Sequence, residues 1–121
     1  MAISSKYLFV VSMDIDTDKE ALFNDVYDRE HIPNLLKVPG VRAVTRMAGE
    51  HFSMSIGGAE KEVAHEGPRY SAIYEIDGPH VLVSPEWTKA VEATTGLVHC
   101  RKYSLLIRAV NQHEAKTSLE S

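Results

Sequence analysis

The residues in this sequence that most plainly suit chemistry are a Glu30-His31 pair, with Pro33 two positions further on. Histidine is the side chain whose unperturbed pKa, about 6.5, lies nearest neutral pH, so it serves readily as an acid or a base. Proline lacks a backbone N–H and clashes with the carbonyl four residues earlier, so the preceding helix is predicted to end at about His31. The macrodipole at a helix C-terminus favours a positively charged imidazole. His31 is therefore either an acid or base beside a chain reversal or a structural cap for the last carbonyls of the helix.

The predicted helix carries an apolar face that includes the Glu30 carboxylate. On a helical wheel of about 100° per residue, Glu30 falls in the middle of this face and His31 at its edge. The face is otherwise formed by Leu22, Phe23, Val26 and Tyr27. A buried carboxylate requires a partner, so we expect Glu30 to pair with an arginine or a tyrosine hydroxyl and to fix the turn that carries His31.

Two tyrosines on one predicted strand are further candidates. Tyr70 and Tyr74 are four residues apart and share a face of the strand, where either hydroxyl can orient His31 or the carbonyl of a substrate. The alternative is that both are aromatic residues of the core or of a subunit interface, with hydroxyls that need partners if they are buried.

Metal binding is not predicted. A site built on His51 and His65 lacks a third ligand, and the single cysteine, Cys100, excludes both an internal disulfide and a cysteine-based metal motif. Three further histidines, His80, His99 and His113, also fall in or near loops.

Composition limits the class of protein. The chain has 121 residues, 44% apolar and 25% charged, with a net charge of −4, which is ordinary for one globular domain. No cluster of lysines and arginines indicates nucleic acid or an anionic membrane surface. No apolar run approaches the roughly 20 residues of a membrane helix, and no signal peptide is recognisable, so we expect a cytoplasmic protein.

The predicted elements alternate in the order β-α-β-β-α-β, an α+β arrangement of the ferredoxin-like type. The helices are predicted at about 18–31, with a short turn at 34–37, and from the Ser84-Pro85 cap towards Gly96. The four strands are predicted at 7–15, 41–47, 70–77 and 101–110. In the second strand, an apolar side alternates with one that carries Arg42 and Arg46, which predicts one solvated face.

The predicted domain spans residues 1–112, followed by a polar tail at 113–121. Two helices cover only one face of a four-stranded sheet, so the other face requires a partner, and a second copy of the chain is the simplest one. The domain includes a long connection at 48–69, whose Phe52, Met54 and Ile56 share one side. This stripe is expected either to cover a pocket or a neighbouring subunit, or to pack as a strand extension within the chain.

The sequence resembles the EthD-like branch of the dimeric α+β barrel superfamily. The likeness rests on Phe23-Asn-x-x-Tyr-x-x-Glu-His-Ile-Pro-x-Leu-Leu-x-Val-Pro-Gly-Val41, and on Arg69-Tyr-x-Ala-x-Tyr-Glu-Ile76 and Ser84-Pro-Glu-Trp87. The resemblance implies a homodimer whose sheets close into a barrel, with a pocket between helices and sheet in each subunit. It also implies that His31 is the acid or base of that pocket, with Tyr27 one turn earlier. No haem-ligand motif is recognisable, and no cofactor is expected.

Two functions follow as alternatives. The first is a small cofactor-independent enzyme that acts on an aromatic or polyketide-like molecule by proton transfer through His31, as an isomerase, cyclase or monooxygenase-like protein. In it, Tyr27, Glu30, Tyr70 and Tyr74 contact the substrate. The second is a non-catalytic dimer that binds a small molecule or has a purely structural role.

Overall fold

A computed structural model describes residues 5–93 and 100–115 of the chain. One long helical segment comprises α1 (Glu20–Val26), a π-helical turn (Tyr27–His31) and α2 (Ile32–Leu36), and a separate helix, α3, spans Pro85–Ala93. The strands are β1 (Tyr7–Ile15), β2 (Val41–Ala48), β3 (Phe52–Ile56), β4 (Ala59–Val63), β5 (Tyr70–Ile76) and β6 (Cys100–Arg108). Short 3₁₀ turns occupy Thr17–Lys19 and Pro79–Val83.

Four of the strands form an antiparallel sheet in the order β2-β5-β1-β6. With β3 and β4 set aside as a separate two-stranded hairpin, the remaining elements follow the order β-α-β-β-α-β. This is the ferredoxin-like α+β fold that the sequence predicts.

The helices cover one face of the sheet and bury its inward-pointing residues. Tyr74 and Ile76 of β5 lie on this face, as does Met13 of β1, and they pack against Tyr27 and Leu35 of the helical segment. The remaining buried apolar residues of this core are Val11, Phe23, Val38, Ala72 and Val81. Alternate side chains of β5 therefore face the helices, and Tyr70 and Tyr74 share this face as the sequence predicts.

The long helix does not end at His31, and this prediction is wrong. Ile32 has α-helical dihedral angles, and its N–H donates to the carbonyl of Tyr27, five residues earlier, which is the bond of a π turn. The extra residue widens the helix directly before Pro33, so the proline ring is accommodated and the helix continues to Leu36. His31 consequently lies within the helix.

The π turn also changes which residues the helix buries. Phe23, Tyr27, His31 and Leu35, spaced four apart, are all buried, whereas Leu22 and Glu30 are exposed. Four residues exceed an α-helical turn of 3.6 residues, so a regular α-helix would rotate this series steadily away from the sheet. The wider turn reduces that rotation. The prediction that Glu30 lies on the buried face is therefore wrong.

The arginine-bearing side of β2 is not uniformly solvated. Val44 lies opposite the buried Tyr74, and Arg46 lies opposite the buried Ala72, so both face the helices. A register shift between Val41 and Ala43 precedes them. Met47, on the other side, is half exposed. Arg46 is thus drawn into the layer between helix and sheet.

The long connection after β2 forms the β3–β4 hairpin. Its turn is Gly57-Gly58, with φ of +59° and +83°, a combination that glycine adopts without steric cost. Phe52, Met54 and Ile56 lie along β3, and each is about half exposed. The stripe is therefore not packed away within the chain.

The second helix begins as predicted, whereas some of the other expected boundaries cannot be compared. The Ser84 hydroxyl accepts a hydrogen bond from the N–H of Trp87 at 3.2 Å, which caps α3. The predicted stop at Gly96 and the end of the polar tail, 116–121, lie outside the described residues. Residues 111–115 form neither helix nor strand.

Candidate functional site

The centre of the candidate site is His31, carried by the π turn. Its side chain is 5% exposed, and its ring meets the ring of Tyr27 edge-on at a centroid distance of 4.8 Å. Its Nδ1 is buried and has no hydrogen-bond partner in the described part of the chain. Buried polar atoms are nearly always hydrogen-bonded, so an unpartnered one is a position at which a ligand or a water is expected. π turns within α-helices occur frequently at functional sites.

His31 is neutral in the folded protein. Its pKa is lowered from 6.5 to about 4. The larger cause is burial away from water, and the smaller cause is the positive charge of Lys102. The helix dipole was expected to favour the imidazolium, but that expectation required a helix end at His31, which is absent. The neutral ring retains a nitrogen lone pair that can accept a proton.

Tyr27 and Tyr74 form a buried hydroxyl pair beside His31. Each is 1% exposed, and their hydroxyl groups are hydrogen-bonded to one another. The pKa of Tyr74 is raised far above its ordinary value, chiefly by burial and to a smaller extent by the neighbouring Tyr27, so its phenol stays protonated. Phe9 and Trp87 pack around the Tyr74 ring at centroid distances of 5.9 and 5.7 Å. The two hydroxyl groups are thus held in place within an aromatic wall formed by Tyr27, Tyr74, Phe9 and Trp87.

Arg46 joins this pair to Tyr70, and sequence reasoning missed it. Its guanidinium lies 5.0 Å from the Tyr27 ring centre and 5.4 Å from that of Tyr70, so it is held between two aromatic faces. It also donates to Asn24 at 2.8 Å and pairs with Asp28 at 3.1 Å. Asn24 and Asp28 are four residues apart on the helix, and that spacing was the available signal for a cation facing them.

Tyr70 lies at the outer end of this arrangement. Its hydroxyl donates to the carboxylate of Glu20, and Arg69 lies 5.5 Å above its ring. Glu20 also lies 3.7 Å from the Arg69 guanidinium. Glu20 therefore takes the role of a carboxylate paired with arginine and tyrosine that the sequence assigned to Glu30.

The predicted site residues are thus partly brought together. Tyr27 contacts His31 through its ring and Tyr74 through its hydroxyl, and Arg46 connects Tyr27 to Tyr70. Glu30 is exposed on the helix and does not belong to this group.

His51 and His65 do approach one another at the base of the hairpin. The backbone N–H of His65 donates to Nδ1 of His51 at 2.9 Å, and Nε2 of His65 lies 3.0 Å from the carbonyl oxygen of Pro68. Each ring therefore has a nitrogen engaged by backbone. Over residues 5–93 and 100–115, no group of three or more His, Cys, Asp or Glu side chains is placed to hold a metal ion.

Within the same ranges, no helix combines the length and the apolar character that crossing a membrane requires.

Comparisons with known proteins give likeness in fold without likeness in sequence. No protein-family model matches the chain, and no curated protein matches it in sequence. Its fold is similar to that of SnoaB, a cofactor-independent oxygenase from Streptomyces nogalater, with 16% identity, a TM-score of 0.57 and coverage of 90% of this chain and 97% of that one. It is also similar to a monooxygenase from the gene ActVA-Orf6 of Streptomyces coelicolor in complex with the ligand Nanaomycin D, with 12% identity, a TM-score of 0.56 and coverage of 93% and 94%.

A third similar structure is an ethyl tert-butyl ether degradation (EthD) family protein from Bacillus halodurans. It is 17% identical, with a TM-score of 0.52 and coverage of 87% of this chain and 99% of that one. The resemblance to the EthD-like branch that the sequence carries is therefore confirmed at the level of the fold.

Proposed function

We propose that the protein is a small cofactor-independent enzyme that acts on an aromatic or polyketide-like molecule by proton transfer through His31. The observation that carries this proposal is the buried Nδ1 of His31, which has no partner among the described residues. A neutral imidazole held in an aromatic wall is suited to accept a proton from a bound molecule. SnoaB, which has a similar fold, is itself a cofactor-independent oxygenase, and the ActVA-Orf6 monooxygenase binds a small organic ligand.

The common step for an isomerase, a cyclase or a monooxygenase-like enzyme is removal of a proton next to a carbonyl. The C–H bond breaks, its electron pair moves into the carbonyl to form an enolate, and the proton goes to Nδ1 of His31. Because the pKa of His31 is lowered to about 4, the imidazolium gives the proton back readily, at the same carbon or at another. The step requires no metal and no organic cofactor.

We assign supporting roles to the neighbouring tyrosines. In this proposal, the hydrogen-bonded hydroxyls of Tyr27 and Tyr74 contact the carbonyl oxygen of the ligand as negative charge develops there. Tyr70 contacts the outer part of the ligand and holds Arg46 in position. Glu30 has no part in this proposal, because it is exposed away from His31.

We further propose that two copies of the chain pair through the uncovered face of the sheet. Tyr103, Leu105 and Ile107 of β6 are each about half exposed on this face, together with Met47 of β2. The outward-facing residues of β1 and β5 beside them include the apolar Leu8, Val10 and Ile73, and Ser12, Ser71 and Glu75 share that face. A second copy brings an identical surface, which satisfies both partners at once.

Hydrogen–deuterium exchange at the carbons next to the carbonyl of β-tetralone tests the proposed reaction. In D₂O, NMR should show that the protein accelerates loss of these protons, and His31→Ala should slow the exchange by about 100-fold or more. His113→Ala, a change at an exposed histidine, should leave the rate as it is. Exchange by His31→Ala at the rate of the unaltered protein would contradict the proposal.

The same experiment distinguishes the second candidate, a dimer that binds a small molecule without chemistry. In that case, β-tetralone would bind with a His31-dependent affinity, and its protons would exchange no faster than in buffer. The unpartnered Nδ1 then serves only as a hydrogen-bond acceptor for the ligand.

A further inference from the structure

The β3–β4 hairpin has one apolar face and one polar face. Directly opposed residues of an antiparallel pair share a face. The apolar face therefore consists of the cross-strand pairs Phe52–Val63, Met54–Lys61 and Ile56–Ala59, and Lys61 is its one charged residue. The residues between them point the other way, and they are two serines and two glutamates. This pattern is typical of a hairpin that packs one side against another surface.

Within residues 5–93 and 100–115, no layer of the chain buries this apolar face. The hairpin forms a sheet of its own, separate from the four-stranded sheet, and Phe52, Met54 and Ile56 are each about half exposed. A two-stranded hairpin is at best marginally stable in water unless it packs against a further layer. An exposed apolar strip of this kind marks an interaction surface.

Lys61 indicates the charge of the surface that covers the hairpin. It stands in the middle of the apolar face, opposite Met54, and its ammonium group has no carboxylate within 4 Å in the described part of the chain. Covering the face takes this ammonium group out of water, so the covering surface has to supply a negative charge.

The outward face of the main sheet carries an acidic residue in the matching situation. Glu75 of β5 is partly buried there, between Leu8 of β1 and Ala43 of β2. Among the described residues, no lysine or arginine lies within 4 Å of its carboxylate. Two copies are proposed to pair through this face, and their pairing would take the carboxylate out of water without a cation beside it.

The two unpaired charges do not meet within one copy of the chain. The hairpin follows the end of β2 at Ala48, which stands opposite Tyr70, whereas Glu75 lies five residues further along β5, a distance of about 17 Å. A twofold axis, in contrast, brings the hairpin of each copy towards the sheet of the other and makes the same contact twice.

We propose that the β3–β4 hairpin is an arm that packs its apolar face on the outward sheet face of a second copy, with Lys61 paired with Glu75 of the partner subunit. This inference rests on the proposed pairing of two chains, for which it names a further contact, and it is independent of the chemistry at His31. A stable dimer buries about 800 Å² on each partner. The arm adds apolar area to a sheet face that Ser12, Ser71 and Glu75 interrupt.

Exchange of the two charges tests the contact, with the dissociation constant of the dimer measured by analytical ultracentrifugation. Lys61→Glu and Glu75→Lys should each raise this constant at least about tenfold, because each places like charges together. The double variant should return it to within about threefold of the unaltered protein, since the pair is restored with its signs reversed. Lys19→Glu makes the same change of charge at an exposed lysine before α1, and it should have no effect.

The apolar part of the contact has its own pair of variants. Met54→Ser should also weaken pairing at least about tenfold, whereas Ser55→Ala, on the polar face of the hairpin, should leave it as it is. Carbodiimide cross-linking of mixed ¹⁴N and ¹⁵N chains should join Lys61 to Glu75 in peptides of mixed label. Peptides of one label only would place the contact within a single chain and overturn the inference.

Three further outcomes would overturn it. The first is pairing that is indifferent to Lys61→Glu and Met54→Ser; if Leu105→Glu still separates the copies, the sheets pair without the arm. The second is rescue of Glu75→Lys by a change at Arg101, the cation opposite Asp14 on the outward face, to glutamate. The third is an unaltered protein that stays a single chain. Failure of the proposed reaction is seen separately, in the exchange of β-tetralone, and does not alter these results.

Discussion

At the scale of single residues, the site depends on keeping His31 neutral inside the protein. Burial removes water from the imidazole and Lys102 opposes a second positive charge, and the two effects act in the same direction on its pKa. A weakly basic nitrogen of this kind remains unprotonated at neutral pH, so it is available to accept a proton throughout that range. The hydroxyl pair of Tyr27 and Tyr74 fixes the wall beside it.

The lowered pKa of His31 predicts how stability changes with pH. The unfolded chain binds a proton at His31 near pH 6.5, whereas the folded protein does so only near pH 4, so the unfolded state binds more protons between these values. The free energy of unfolding should therefore fall as pH falls through this window, with a slope from this group of at most about 1.4 kcal/mol per pH unit.

Urea unfolding of His31→Asn at a series of pH values checks this prediction. The variant should lose that part of the slope between the two pKa values, whatever its absolute stability, while His113→Asn should keep it. Identical pH dependence of His31→Asn and the unaltered protein would mean that His31 titrates alike in both states.

At the scale of elements, the sequence predicted the strands well and the long helix less well. The four strands of the main sheet, β1, β2, β5 and β6, begin and end within two residues of the predicted bounds, because runs of β-branched and aromatic residues mark them clearly. The rule that proline ends a helix failed at Pro33, since a π turn accommodates the ring. A π turn has no composition signature of its own, so the burial of His31 in place of Glu30 could not be read from a helical wheel.

The turn after α2 offers a test of how tightly the elements are joined. Gly40 has φ of +93°, and a Cβ at this position would lie 2.5 Å from Cγ2 of Val81. Gly67 has a similar φ of +85°, but a Cβ there would meet nothing within 4 Å. Both Gly→Ala changes impose backbone strain, and only the change at Gly40 adds a steric clash.

Gly67→Ala should lower the free energy of unfolding by about 1 kcal/mol, and Gly40→Ala by about 2–4 kcal/mol. Thermal or denaturant unfolding of the two variants gives the comparison directly. Equal losses for both would indicate that Val81 moves aside at no cost and that the turn is not tightly packed.

At the scale of the whole molecule, the uncovered sheet face follows from the fold that the sequence predicts. Four strands and two helices leave one sheet face without a covering layer, and Leu105 is 56% exposed there. A stable dimer interface buries about 800 Å² on each partner, which is within the reach of one face of such a sheet. The β3–β4 hairpin within the 48–69 connection was not predicted, because alternation within Phe52–Ile56 marks a strand but does not identify the strand that pairs with it.

Leu105→Glu tests whether this face joins two copies of the chain. Light scattering should give the unaltered protein twice the chain mass of 13.5 kDa, and the variant should approach a single chain mass because two buried carboxylates would face one another. Leu22→Glu is the matched control, since Leu22 is 58% exposed on the helix and away from the sheet. A single chain mass for the unaltered protein, or a dimer that is indifferent to Leu105→Glu, would contradict the proposed pairing.

The central claim is that His31 is a buried, neutral proton acceptor that meets the ligand. The most direct measurement is ¹⁵N NMR of histidine-labelled protein across a pH series, with and without β-tetralone. The account predicts that the ring of His31 stays neutral down to the neighbourhood of its pKa of about 4, and that β-tetralone shifts its nitrogen signals while those of His113 do not move. Titration of His31 near its ordinary value of 6.5, or a His31 signal that β-tetralone leaves in place, would contradict it.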